Sequence, residues 1–294
     1  MTMEIREKAF AKLNICLDVT GKMEDGYHSI RSVMQSVSFG DDITIVPKDK
    51  GGYYVQSNIK YLPTGEKNIA VRACRLFRQE TGLGPEHALI IIDKKIPICG
   101  GLGGGSTDGA AVLRALNREY KAGLDKAGLE AMASKLGSDV PFCIAGGTVF
   151  AEGRGDRLTR LTPLPESPVV ICKPDFTSST PDLFAALDRI KIKVRPDTDG
   201  LIDAINKGDL MEVARRMFNV FEDALTKNRK TVINGIKSRL LDLGALGACM
   251  SGSGSAVYGL FYSGEQARTA VEILEGEGIE SFYTVTSQEL DLSV

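Results

Sequence analysis

The amino-acid sequence predicts an α+β protein, an α/β two-layer arrangement of helices and strands, divided into two domains. Three observations carry that expectation. The chain has 294 residues, about two units at roughly 150 residues each. Apolar periods of 2 and of about 3.6 residues are interleaved in both halves. Three prolines fall within the seven residues 162–168, TPLPESP, which marks a boundary or crossing loop. The first domain is expected over 1–162 and the second over 163–294, with the last strand free to pack back on the first.

Residues 8–19 alternate: Ala9, Ala11, Leu13, Ile15, Leu17 and Val19 share one face, and Lys8, Lys12, Asn14 and Asp18 the other. That is the pattern of a half-buried strand. A turn region at Gly21–Gly26 follows, then strands over Val33–Phe39 and Ile43–Val46. The spacing of Ile69, Ala73, Leu76 and Phe77 predicts a helix over 67–81, stopped by Gly82. Ala88–Ile92 reads as a short buried strand that leads to the glycines of 100–105, and helices follow over 106–121 and 125–136. A further short element starts near Asp139. Past the boundary come a strand at 169–172, a loop to Pro181, and helices over 181–188, 199–206, 209–226 and 229–242. A glycine-rich hairpin or turn at 247–254, a strand at 255–261, a helix at 264–275 and a strand at 280–286 complete the chain.

Composition narrows the function. Thirty-six basic residues against 38 acidic ones leave a formal charge of −2, with no basic excess to track a nucleic-acid backbone. No apolar run reaches the roughly 18 residues of a membrane span. Met1–Ala9 carries neither the apolar core of a signal peptide nor a transit pattern, so a bacterial cytoplasmic location is expected. The six cysteines contain no CxxC pair and only His28 and His87 accompany them, which speaks for reduced, mostly buried thiols rather than a zinc site. Glycine stands out at 32 residues, about 11% against a usual 7%.

The glycines concentrate where chemistry is expected. Pro97, Ile98, Cys99, Gly100, Gly101, Leu102, Gly103, Gly104, Gly105, Ser106, Thr107 and Asp108 form one stretch between a strand and a helix. Successive glycines let backbone N–H groups turn inward, and the helix start adds free donors and a positive dipole end; together they make an anion cradle. Ser106 and Thr107 can add hydroxyls toward a phosphate or a Mg²⁺ ion. The plain alternative is a flexible turn in which Ser106, Thr107 or Asp108 caps the helix. The stretch is neither a Walker A loop, lacking its lysine, nor a dinucleotide fingerprint.

Other residues stay open on pattern alone. Asp139, in Gly137-Ser-Asp-Val-Pro141, is either a general base or a helix N-cap. Lys12 and Asn14 point the same way on their strand, to hold a phosphate or to meet solvent. Tyr27 and His28, after Asp25-Gly26, suit a nucleobase, or are incidental aromatics of a turn. Phe184 offers a second stacking face, or a core contact. Gly247–Ser255 brings backbone close to a ligand, or makes a tight hairpin.

Taken in order, these segments resemble the GHMP family of small-molecule kinases. Pro97–Ala111 is similar to its phosphate-binding motif PxxxGLGGGSSxAA, and Gly247–Ser255 to its glycine-rich third motif. Within the family the opening is specific: Lys12-Leu-Asn-Ile-Cys-Leu-Asp-Val19, Gly21-Lys22, Asp25-Gly-Tyr-His28 and Met34-Gln35. Leu136-Gly-Ser-Asp-Val-Pro-Phe142 and Gly153-Arg-Gly-Asp156 extend the likeness, which runs from about residue 8 to 261. It resembles the members that phosphorylate the 2-hydroxyl of a cytidine-diphosphate-linked methylerythritol in non-mevalonate isoprenoid synthesis.

The resemblance implies a domain like ribosomal protein S5 domain 2 followed by a ferredoxin-like domain, with the active site between them. It implies ATP and Mg²⁺, a small-molecule partner, and a monomer or homodimer. Asp139 would be the base and Lys12 its catalytic partner, with Pro97–Thr107 around the ATP phosphates. Asn68 and Lys94 match positions near the adenine or ribose. Tyr27, His28 and Phe184 would hold the cytosine and Asn14 would face the methylerythritol. No metal ligand is assigned to the protein, Mg²⁺ arriving on ATP with Ser106 as the candidate contact.

Two departures are visible. Thr107 stands where Ser is usual, which keeps the hydroxyl. Gly109 stands where Ala is usual, inside a helix, at a cost of about 1 kcal/mol in propensity; close packing against a neighbour is the open reading. The alternatives are another GHMP kinase, acting on mevalonate, homoserine or a sugar, and a non-catalytic ligand sensor. The Tyr27-His28 turn speaks against the first and the Lys12/Asp139 pair against the second.

Overall fold

The computed structural model describes residues 4–290 and 292; Met1 to Met3 of the Met1–Ala9 segment, and Asp291, Ser293 and Val294 at the far end, lie outside the described residues. The first half runs β1 (Ile5–Lys22), β2 (His28–Lys48), β3 (Tyr53–Ser57), α1 (Ile69–Thr81), β4 (His87–Asp93), α2 (Gly104–Glu119), α3 (Lys126–Ser134), α4 (Val140–Ala145), β5 (Thr148–Gly153) and β6 (Arg157–Arg160). Strands β3, β4, β2 and β1 lie in that order, while β5 also pairs with β2, and β6 with β5. The four helices share one core with this sheet.

The second half runs β7 (Pro168–Lys173), α5 (Thr180–Leu187), α6 (Thr198–Asn206), α7 (Leu210–Arg215), β8 (Phe218–Asn219), α8 (Phe221–Ala224), α9 (Lys227–Asp242), β9 (Gly247–Met250), β10 (Val257–Leu260), α10 (Gly264–Gly276) and β11 (Glu280–Val285). Its sheet has the antiparallel order β11-β7-β10-β9. With the β9–β10 hairpin between two helical crossovers, this is the ferredoxin-like βαββαβ arrangement. A second core joins the two halves, with Leu13 and Ile15 of β1 against Ile171 and Tyr258. After β11 the chain crosses back to the first sheet, where the Ser287 N–H donates to Ser36 O at 2.9 Å and that of Leu290 to Ala145 O at 2.7 Å.

The structure corrects the expected elements in four places. β1 is not half-exposed: Lys12, Asn14 and Asp18 are buried, because the second half covers what the alternation assigns to solvent. A register shift between Phe10 and Lys12 also splits the apolar face, so Ala9 joins one core and Ala11 to Ile15 another. Such bulges re-aim side chains beside functional sites. β2 is one 21-residue strand rather than two. Gly40 permits this, since a Cβ there would stand 2.3 Å from Ala9 O.

The expected helix over 209–226 breaks into α7, β8 and α8. Phe218 and Asn219 extend to pair with Cys16 and Leu17 of β1, and the Asn219 amide donates to Met250 O and Gly252 O at 2.8 and 2.7 Å. Strands β3, β5 and β6 are absent from the sequence-based expectation, and the 247–254 stretch, expected as a hairpin or turn, is the hairpin of β9 with β10. All six cysteines are free and five are buried, Cys99 being the exposed one; burial pushes the Cys74 and Cys143 thiols up to about 12.

Candidate active site

One cleft of about 1030 Å³ opens between the β1–β2 end of the first sheet, the glycine loop and α5. Of the residues assigned above to catalysis, ATP or acceptor, all but Thr107 line it, and the Gly247–Ser255 stretch contributes Gly252 and Ser253. Thr107 is buried and its hydroxyl has no partner in the protein, so the Ser106 hydroxyl alone of that pair faces the cleft. Among the described residues no three His, Cys, Asp or Glu side chains gather as a metal cage.

The glycine loop is stitched to its surroundings through backbone. Leu102 O accepts from the Lys12 N–H at 3.0 Å, and Gly100 O from the Ala256 N–H at 3.0 Å. The Ser251 hydroxyl donates to Gly101 O at 3.0 Å. Gly101 has φ +76°, and a Cβ on it would meet Ser251 O at 2.0 Å. The second glycine cluster is therefore the wall against which the first one rests. Helix α2 begins at Gly104 with Gly103 as its N-cap and no side-chain cap bond, so its first N–H groups are left to the cleft and to any anion there.

Lys12 lies at the centre. It is 4% exposed, its ammonium donates to Asn14 Oδ1 at 2.6 Å, and Asp139 Oδ2 is 3.8 Å away. The Asn14 amide donates in turn to Ser32 Oγ at 2.8 Å, whose hydroxyl donates to Cys16 O at 2.7 Å. Asp139 occupies the N-cap position of α4, yet its backbone is helical and its side chain makes no cap hydrogen bond. The carboxylate is spent on the cleft and on Lys12.

Two expected ATP contacts, Asn68 and Lys94, line the cleft and carry structural duties as well. Asn68 caps α1: its Oδ1 accepts from the Ala70 N–H at 2.9 Å and its Nδ2 donates to Pro63 O at 2.8 Å. The Lys94 ammonium is buried between Asp41 and Asp108, donating at 2.5 and 2.8 Å. It supports the loop from below, where a Cβ on Gly104 would stand 2.9 Å from Lys94 Nζ. Burial raises the Asp108 carboxyl to about 7 against the pull of Lys94. The Lys94–Asp41–Asp108 cluster leaves no sequence signal, because its members lie 53 and 14 positions from Lys94.

At the other end, His28 stacks on Phe184 with centroids 4.5 Å apart and planes 14° apart. Its Nε2 meets Asp188 Oδ1 at 2.8 Å, and that contact holds the Asp188 carboxyl below its usual range. Phe184 meets Phe221 edge-on at 5.0 Å. Tyr27 remains 56% exposed, with the Arg154 guanidinium 4.3 Å from its ring centre. Arg154 and Asp188 carry no individual signal in the sequence, since only folding brings them to Tyr27 and His28.

The fold and this cleft define a small-molecule kinase class. The family described as GHMP kinases N terminal domain matches residues 68–147, and GHMP kinases C terminal matches 201–279. A 4-diphosphocytidyl-2-C-methyl-D-erythritol kinase of Caldicellulosiruptor saccharolyticus is 41% identical over 268 residues, covering 91% of this chain and 92% of that one. The kinase of that name from Acetivibrio thermocellus is 41% identical over 283 residues, covering 95% and 98%. A crystal structure of 4-(cytidine 5'-diphospho)-2C-methyl-D-erythritol kinase superposes with a TM-score of 0.79 at 32% identity, covering 96% and 99%. A homoserine kinase from Cytophaga hutchinsonii, at 22% identity and TM-score 0.75, shares the fold. The chain belongs to the 4-diphosphocytidyl-2-C-methyl-D-erythritol kinase family of GHMP kinases.

Proposed function

We propose that this chain transfers the γ-phosphoryl group of ATP to the 2-hydroxyl of 4-diphosphocytidyl-2-C-methyl-D-erythritol, giving the 2-phosphate and ADP. The observation that carries the reading is the Lys12–Asn14–Asp139 contact set at the mouth of the glycine loop. It shares one cleft with the Tyr27, His28 and Phe184 rings. Phosphoryl transfer asks a protein mainly for positioning and for neutralised charge. The loop N–H groups and the α2 dipole would receive the polyphosphate. Asp139 would take the proton of the attacking hydroxyl as the O–P bond forms, and Lys12 would hold that carboxylate ionised.

Asn14 would orient the polyol, and the aromatic end would take the cytosine. The Ser106 hydroxyl suits a metal ion carried by the phosphates, in keeping with Mg²⁺ sites built largely from substrate oxygens. When bound, Mg²⁺ would supply charge neutralisation at the phosphates of ATP. The division at residues 162 and 163 would put the phosphate loop in one part and Phe184 in the other, with the acceptor between them. Cytoplasmic activity as a monomer or homodimer completes the proposal.

The test is ADP release with Mg-ATP and four separate acceptors: 4-diphosphocytidyl-methylerythritol, methylerythritol phosphate, mevalonate and homoserine. Turnover with the first alone is expected. Turnover with mevalonate or homoserine instead would keep the kinase and overturn the acceptor.

A further inference from the structure

The Gly153–Asp156 segment has no part in the phosphoryl transfer derived above, yet it reaches the cleft. Register explains how. Ile30 of β2 pairs with Gly153 of β5, so the β5–β6 turn lies beside the residues that enter β2, Tyr27 and His28. Gly153 and Gly155 both take positive φ, +67° and +98°, which makes the turn tight and leaves Arg154 at its tip. A side chain on Gly155 would press on Ile30, 3.2 Å from its Cδ1.

Arg154 makes two contacts there. Its guanidinium covers the Tyr27 ring at 4.3 Å, and it pairs with Asp25 Oδ2. The other oxygen of Asp25 accepts from the Tyr27 N–H at 3.0 Å. Those bonds, the Tyr27 amide first, hold the Asp25 carboxyl below its usual range. Ring, amide, carboxylate and guanidinium thus close a small circuit on the Met23–Tyr27 turn, which is itself fastened by the Met23 N–H donating to Tyr27 O at 2.7 Å.

We infer that Arg154 is a positioning residue for nucleobase recognition: it backs one face of Tyr27 and presents the other to the base of the acceptor. This rests on the acceptor proposed above. The His28–Phe184 pair is in direct contact at 4.5 Å, so a base does not lie between those two rings as they stand. Tyr27 supplies the exposed aromatic face. An unsupported exposed ring would lose its rotamer freedom when a ligand binds, and that loss weakens affinity. Arg154 fixes the ring beforehand, and a planar guanidinium does this better than a point charge.

The experiment compares wild type, Arg154→Ala and Arg154→Lys, each also in a Tyr27→Leu background. Steady-state turnover is measured, together with a calorimetric titration with cytidine alone, which needs no turnover. Arg154→Ala is expected to raise the acceptor KM and the cytidine Kd about tenfold, with kcat and the ATP KM changed less than about threefold. Arg154→Lys is expected to recover part of the loss by restoring the Asp25 pair. With Tyr27→Leu, removing Arg154 is expected to add less than about twofold, the signature of coupled residues.

An unchanged acceptor KM and cytidine Kd in Arg154→Ala would overturn the proposal while wild-type turnover left the acceptor reading standing. An equal rise in the ATP KM, or a full effect without Tyr27, would assign Arg154 a general structural role and overturn it as well. A wild type that neither turns over the cytidine-linked acceptor nor binds cytidine would overturn both.

Discussion

Asp139 aims its carboxylate at the Lys12 ammonium, 3.8 Å away, although it occupies the N-cap position of α4, where a side-chain oxygen would ordinarily bind the helix amides. The sequence leaves cap and base as rival readings, and they predict different losses. A lost cap costs about 1 kcal/mol of stability. A lost base costs roughly 10²–10⁴ in turnover. Asp139→Asn is therefore expected to keep the melting temperature and acceptor KM near wild type while ADP release falls by orders of magnitude. Turnover within a few-fold of wild type would remove Asp139 from the chemistry.

Lys94 binds two buried carboxyl groups, Asp41 and Asp108. Lys94→Met would strand both and is expected to cost about 3–5 kcal/mol in denaturant unfolding. Asp108→Asn keeps the Lys94–Asp41 pair and should cost far less.

The pH dependence of stability follows from the Asp108 carboxyl, raised from 3.8 to about 7 in the folded state. Between those values the folded chain binds more protons at this site than the unfolded chain. Stability from this group therefore falls as pH rises from about 4 to about 7, and changes no further above that. The raised ammonium of Lys94 acts in the same sense but in another window, losing its contribution only as pH rises past 10.5. Comparing unfolding free energies of wild type and Asp108→Asn between pH 4 and 8 should show the wild type losing stability relative to the variant as pH rises from about 4 to about 7. Parallel slopes would mean that Asp108 stays ionised throughout.

Gly101 separates two loops that touch. Ala at this position would need φ +76° and would place Cβ 2.0 Å from Ser251 O and 2.9 Å from Gly254 N. The phosphate loop would have to lift from the second glycine cluster. A displacement of about 1 Å at a positioning element costs on the order of 10²-fold in rate, and Gly101→Ala is expected to lose that much kcat/KM for ATP. An active Gly101→Ala would show that the loop adapts.

How far the site is legible in the sequence depends on separation along the chain. The glycine loop announces itself because its residues are consecutive, and Lys12 and Asn14 because a strand's period of two needs only local alternation. Phe184 and His28 are readable as aromatics but not as a stacked pair, being on α5 and β2. Nothing in the sequence joins Lys94 to Asp41 and Asp108; only the β2–β4 register and the start of α2 bury them together. The β8 pairing was hidden for a related reason. Its two residues follow helical spacing on paper, and β1 overrides that preference by offering Cys16 and Leu17 as partners. Turn residues Gly153 and Gly155 are visible, but what Arg154 touches is set by a register 123 positions away, Ile30 against Gly153.

Gly109 resolves into a packing question with a measurable sign. Its helix gains about 1 kcal/mol from Ala in place of Gly, yet a Cβ at this position would stand 2.5 Å from Ile69 Cγ2 at the start of α1. Overpacking of a well-filled core typically costs about 1–3 kcal/mol, so the clash outweighs the propensity and Gly109→Ala is expected to destabilise. The half-buried Ile69 side chain is what must yield. Ile69→Ala removes the obstructing methyl and should cost stability by itself, since Ile69 packs against the main core. Together the two substitutions should be less damaging than their sum, by about 0.5–3 kcal/mol of coupling, read from denaturant midpoints of the two single variants and the double. Strict additivity would show that α1 and α2 separate to admit the methyl without cost. The glycine would then have no packing role.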